Sequence, residues 1–114
     1  MSPAGPFGPA GIADDVGTTV TAAEITVEGL VQGVGFRAYT QRRASELGLA
    51  GDVVNLRDGR VRVRAEGRRA AIDALVQHLE RGPRLARVSR VLVTWQSPTG
   101  RGSAFTIGDG EREW

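Results

Sequence analysis

Between Glu24 and Leu47 the hydrophobic period of the chain changes, and glycines stand at the change. In "EITVEGL" (Glu24 to Leu30), Ile25 and Val27 alternate with Glu24, Thr26 and Glu28, the period-two pattern of a half-buried strand. From Phe36 to about Leu47, the residues Phe36, Tyr39, Arg43, Ala44 and Leu47 recur at mostly helical spacings, and Gly48 follows as a C-cap. Between them lies Gly29-Leu30-Val31-Gln32-Gly33-Val34-Gly35-Phe36-Arg37, which holds three glycines and a single charged residue, Arg37. A strand must therefore turn through a glycine-rich bend straight into a helix, which confines the chain to folds built on strand–bend–helix units.

The rest of the pattern narrows the choice. "GDVVNL" and "RVRVRAEG" read as short strands joined through Arg57, Asp58 and Gly59, since Asp-Gly between alternating segments supplies the positive φ of a tight hairpin. Val61, Val63 and Ala65 face one side of the second strand and Arg60, Arg62 and Arg64 the other. "RRAAIDALVQHLERGP" places Ile72, Leu75, Val76 and Leu79 on one helical face, and Gly82-Pro83 stops it. "ARVSRVLVTW" reads as a longer strand and "SAFTIG" as a short last one. The order strand, helix, strand, strand, helix, strand, plus a terminal strand is that of an α+β, ferredoxin-like (βαββαβ) two-layer sandwich. It predicts an antiparallel sheet with two helices on one face, and places Asn55's strand beside the first strand. The other sheet face is free to be polar, which accounts for the arginine row.

The chain has 114 residues, 40% of them hydrophobic and 25% charged, as suits one small domain with a modest core. Residues 1 to 20 lack apolar periodicity and are expected to be a flexible tail, with order beginning near Ala23. The domain is expected over 21 to 110, with a charged tail from 111 to 114. Gly5, Gly8 and Gly11 stand three apart with prolines between, but so few triplets cannot hold a collagen helix. The start has no basic n-region or continuous apolar stretch and does not read as a signal peptide, and no run is apolar enough to cross a membrane. Cysteine is absent, which excludes disulfides, thiolate metal sites and a cysteine nucleophile, and fits the cytoplasm. All fifteen basic residues are arginine. This reconciles a formal charge of +2 with a pI of about 10.3, because arginine keeps its proton past pH ~12. The high pI is thus no sign of a nucleic-acid partner.

An anion is the natural ligand of the bend. Successive amides of a glycine-rich turn form a concave nest, and the first helical turn adds unpaired N–H donors. Arg37 adds a planar fork that matches a phosphate bidentately. Spacing alone accounts equally well for a solvated Arg37 and for glycines that merely make the bend. Neither G-x-G-x-x-G nor a terminal Gly-Lys-Ser/Thr is present, so dinucleotide and P-loop nucleotide sites do not follow. His78 reads as a surface or boundary residue of the second helix. Asp14, Asp15, Glu111 and Glu113 have no partners at ligand spacing. Trp95 is expected to pack on or flank the fourth strand and Trp114 to be exposed.

"GLVQGVGFR" followed by "GDVVNLRDGRV" closely resembles the acylphosphatase family, with its pattern G-x-V-Q-G-V-x-F-R and then G-W-V-x-N-x-x-D-G-x-V. The resemblance runs from about Glu24 to Ile107. It implies hydrolysis of the carboxyl–phosphate bond of acyl phosphates to a carboxylate and inorganic phosphate, without metal, cofactor or covalent intermediate. By motif match Gln32, Gly33, Val34, Gly35 and Phe36 form the phosphate loop, Arg37 anchors the phosphate, and Asn55 positions the attacking water. A small monomer acting on a small acyl phosphate, with neither nucleic acid nor membrane as partner, is expected. The family's tryptophan is replaced by Asp52, which strand parity turns away from Asn55 onto the open sheet face. Leu30 and Arg62 also depart from the family pattern, outside the pair Arg37 and Asn55.

Two other readings compete. The hydrogenase maturation carbamoyltransferases carry a similar N-terminal domain, so the chain could be a non-catalytic module that binds acyl phosphate or carbamoyl phosphate. Those proteins are much longer and cysteine-rich, which favours a standalone enzyme. The arginine row on a ferredoxin-like sheet suggests RNA, but "RVRVRAEG" lacks the strand aromatics on which bases stack.

Overall fold

In a computed structural model that describes residues 17–100 and 102–108, the chain runs β1 (Val20–Leu30), α1 (Phe36–Glu46), β2 (Ala50–Asn55), β3 (Val61–Arg68), α2 (Arg69–Arg81), β4 (Arg87–Gln96) and β5 (Phe105–Ile107). Asp14, Asp15, Glu111, Glu113 and Trp114, and nearly all of both expected tails, lie outside the described residues. The strands form one sheet in the order β4-β1-β3-β2-β5. The first four strands pair antiparallel, as the pattern predicts, whereas β5 joins β2 in parallel, so the complete sheet is mixed. The element order and the two helices over one sheet face are those of the ferredoxin-like sandwich.

Two expectations need correction. Asn55's strand does not lie beside β1, because β3 stands between them. Val61, Val63 and Ala65 of β3 are buried, and the central slot between β1 and β2 gives that face two neighbours. Order also begins before Ala23. β1 starts at Val20, paired with Arg68, and the Arg69 amide donates to the Thr19 carbonyl at 2.9 Å. Backbone pairing with the long β3 extends the strand through residues whose side chains carry no alternation.

The core follows the odd-numbered strand positions. Val53, Val63, Ile25 and Val93 stand in register across four strands, and the first three are completely buried. Phe36 and Ala44 of α1 and Ile72, Leu75 and Leu79 of α2 close over them. Burying such a side chain contributes about 1.5–3 kcal/mol. The open face instead carries pairs such as Arg64 and Glu24, 3.9 Å apart and partly exposed, where an ion pair adds about 0–1 kcal/mol. The helix-side core therefore decides the register.

Two glycines permit this sheet. At Gly51 (φ 147°) a Cβ would collide with the Arg64 carbonyl of β3. At Gly29 (φ 134°), where the β1–β4 register shifts at a bulge, it would collide with the Arg87 carbonyl. Only a residue without Cβ lets neighbouring backbones come this close.

Candidate active site

The bend after β1 begins with Val31, 1% exposed, whose side chain is packed in the core and so pins the loop's first residue. Gly33 and Gly35 take left-handed conformations (φ 76° and 81°), and a Cβ at either would stand in open space. The twist they allow brings the chain into α1 with Gly35 as N-cap. No side chain caps this helix and no acidic residue stands in its first turn. The first-turn amides thus have neither an intrahelical acceptor nor a capping oxygen, and the positive end of the helix dipole is left for an anion.

Arg37 leaves the same helical turn half-buried, and its Nη1 donates to the Gly108 carbonyl at 2.9 Å. One guanidinium N–H is committed there, and others of the five remain for a ligand. Gln41, one turn on, donates from Nε2 to the Phe105 carbonyl at 3.1 Å. Both bonds tie α1 to β5. Asn55 ends β2 opposite Val61 of β3. Among the described residues its side-chain amide meets no protein hydrogen-bond partner.

Gly33, Gly35, Phe36, Arg37 and Asn55 line one cleft of ≈ 200 Å³, with Ile107 of β5 as an apolar wall. Among the described residues none that lines it is a carboxylate, so none of them repels an anion. Two of the expected loop residues stand elsewhere. Gln32 turns its side chain from the cleft to the β2–β3 hairpin, donating from Nε2 to the carbonyls of Leu56 at 2.7 Å and Arg60 at 2.9 Å. Val34 faces a different hollow, against Pro83 and Leu85. Gln32 is thus a strut between loop and hairpin, while its neighbours form the cradle. The hairpin is closed by Leu56 donating to the Arg60 carbonyl at 2.8 Å, and Asp58 accepts from the Arg60 amide at 3.1 Å.

Ile107 and Gly108 were not legible as site residues. Their contribution arises from the parallel pairing of β5 with β2, and the three residues of that strand carry no motif. Asp52 stands outside the cleft, half-buried on the open face in register with Arg64 and Thr106, as parity predicts. The arginine row is met by acids: Arg60 pairs with Asp58 at 2.8 Å, and Arg64 lies between Glu24 and Asp52 in register. His78 is partly exposed, and its carbonyl accepts from the Tyr39 hydroxyl at 2.9 Å. Trp95 flanks the sheet, with the Arg69 guanidinium 3.7 Å above its ring.

A ferredoxin-like sandwich with an uncapped helix start, an anchored arginine and an amide side chain about one cleft defines a class: small α+β proteins with a cleft suited to an anion. The acylphosphatase family profile matches residues 23–107. An acylphosphatase of Thermus thermophilus is 54% identical over 74 residues, which span 65% of this chain and 84% of that protein. The crystal structure of acylphosphatase from Bacillus subtilis superposes with a TM-score of 0.75 at 36% identity, covering 79% of this chain and 99% of that one. Full-length HypF, crystallised in a phosphate- and nucleotide-bound form, matches with a TM-score of 0.74 at 27% identity, over 81% of this chain but 12% of its own length. The chain belongs to the acylphosphatase family. It is an enzyme that hydrolyses the carboxyl–phosphate bond of acyl phosphates.

Proposed function

We propose that the cleft carries out this hydrolysis with Gly33, Gly35 and Phe36 amides and the Arg37 guanidinium holding the phosphoryl group, and Asn55 placing the water. The observation that carries this assignment is the convergence of the uncapped α1 start, Arg37 and Asn55 on one cleft that no carboxylate lines among the described residues. Gln32 and Val34 belong to the loop without facing that cleft, and act through its backbone path.

The chemistry asks little beyond positioning and charge. An acyl phosphate dianion reacts with water to give a carboxylate and dihydrogen phosphate. The water oxygen bonds to phosphorus, the phosphorus–oxygen bond to the acyl group breaks, and its electron pair stays on the departing carboxyl oxygen. Both water protons end on the phosphate product, so no side chain need keep one. The transition state spreads charge over three equatorial oxygens, which the amides and the Arg37 fork meet from fixed positions. Each preorganised donor of this kind lowers the barrier by about 3–4 kcal/mol. Asn55 has a carbonyl to accept from water and an NH₂ to donate, but is no base. Its part is alignment.

A monomer in the cytoplasm is the setting we attach to this reading; a sequence without cysteine forms no disulfide and so needs no oxidising compartment. Steady-state hydrolysis of acetyl phosphate without added metal is the test. Arg37→Ala and Asn55→Ala are expected to lose at least about a hundredfold in kcat/KM, and Arg37→Lys to remain poor, since an ammonium lacks the planar fork. Full activity in Arg37→Ala would overturn the assignment. Phosphate binding without turnover by the wild type would favour the non-catalytic module.

A further inference from the structure

β5 is three residues long and lies at one edge of the sheet. β2 holds it from the inner side, where the Gly51 amide donates to the Ala104 carbonyl at 3.0 Å and the Gly108 amide to the Val53 carbonyl at 2.9 Å. Backbone groups of successive strand residues turn to opposite sides, so with Ala104 and Gly108 facing β2 the Phe105 carbonyl faces outward. No strand stands on that outer side among the described residues, and a carbonyl there needs another donor. Gln41 supplies it, donating from Nε2 at 3.1 Å.

Gln41 follows Arg37 by four positions, so both side chains leave one face of α1 a turn apart. Arg37 takes the Gly108 carbonyl and Gln41 the Phe105 carbonyl. Between these two ties stands Ile107, the apolar wall of the cleft. The ties respond differently to a bound anion. A phosphoryl group draws on the Arg37 guanidinium, because a charge-assisted bond to phosphate is stronger than one to a neutral carbonyl. The Gln41 amide is neutral and lines no part of the cleft, so the anion leaves its bond in place.

We infer that Gln41 is a positioning residue for the hydrolysis. It holds the segment from Phe105 to Gly108 against α1, so that the Gly108 carbonyl aims Arg37 from a point that stays fixed when the anion binds. The inference rests on Arg37 as the phosphate anchor.

The test measures acetyl phosphate turnover and inhibition by inorganic phosphate in the wild type, Gln41→Met, Gly108→Ala, the double variant and Arg37→Ala. Methionine keeps the unbranched length of glutamine and removes the donor. Gln41→Asn, a methylene shorter, breaks the same bond with a polar side chain, and urea unfolding checks that each variant is folded. Gln41→Met is expected to lose about tenfold in kcat/KM, the scale of slight misplacement at a reacting centre, and to weaken phosphate inhibition with it. The double variant is expected to exceed the loss of Gly108→Ala by less than about twofold, because both changes act through one carbonyl. A merely structural Gln41 would lower the urea midpoint and leave the kinetics of the folded enzyme unchanged. That result, or losses that multiply in the double variant, overturns the positioning role, while an inactive Arg37→Ala keeps the hydrolysis reading intact. Full activity in Arg37→Ala overturns that reading and this inference together.

Discussion

Arg37 and Gly108 are 71 positions apart, yet the Arg37 guanidinium donates to the Gly108 carbonyl at 2.9 Å. Gly108 is itself fixed to the sheet, its amide donating to the Val53 carbonyl at 2.9 Å. The arginine at the head of α1 is thereby aimed by the far end of the chain. A Cβ on Gly108 would press into Val54, a short branched side chain that is buried and cannot swing aside. Gly108→Ala is expected to displace the carbonyl and lower kcat/KM at least about tenfold, the scale of slight misplacement at a reacting centre. Unchanged kinetics in this variant would show that Arg37 needs no such support.

Gln32 should act on rate more than on binding. Its Nε2 bridges the Leu56 and Arg60 carbonyls, directly after Asn55 and directly before Val61, its partner in register. Gln32→Leu keeps the side-chain bulk and removes both bonds, which is expected to cost about 1–2 kcal/mol of stability. Because the bridge sets the spacing from loop to Asn55, kcat should fall about tenfold while inhibition by inorganic phosphate barely changes. A parallel loss in both would place Gln32 in phosphate binding instead.

Glu66 makes a polar tie of three hydrogen bonds outside the cleft. Only 8% exposed, its carboxylate accepts from the Thr99 amide and hydroxyl, both at 2.9 Å, and from the Gly100 amide at 2.6 Å. These bonds fix the connection that leads to β5. Hydrogen bonds to a buried charge contribute about 1.5–3 kcal/mol each, and the amides left behind can turn to water. Glu66→Ala is expected to destabilise the fold by about 2–4 kcal/mol in urea unfolding, with activity falling as β5 loosens its hold on Arg37.

Asp58 gives the hairpin a defined response to acid. The Arg60 amide, hydrogen-bonded to its carboxylate, lowers its pKa from 3.8, with help from the Arg60 guanidinium 2.8 Å away. A lowered folded-state pKa means that its contribution is present above the ordinary carboxylate pKa and is lost as pH falls through the lowered value. Asp58 should therefore leave turnover at neutral pH independent of small pH changes. An NMR titration of its carboxyl carbon should show a midpoint below 3.8, and a midpoint at or above that value would contradict the turn geometry.

Much of the architecture was readable without coordinates, because its signals are local. Alternation at Ile25 and Val27, the face of Ile72, Leu75 and Leu79, and the Asp58-Gly59 turn each depend on a few neighbouring residues. The nearness of Arg37 to Asn55 was legible only through the family pattern, since spacing in sequence carries no distance between elements.

What the amino-acid sequence determined by itself is the set of elements and the chemistry on the bend: amides without a cap, and one arginine beside them. Tertiary structure decided which strands became neighbours. It placed β3 between β1 and β2, where three buried residues find a strand on either side, and set β5 parallel to β2, so that Ile107 and Gly108 reached the cleft. It also turned the Gln32 side chain away from the cleft and onto the hairpin. Those outcomes depend on how side chains from distant positions fill one core and on which backbone groups that leaves facing each other. Neither is encoded in any short stretch.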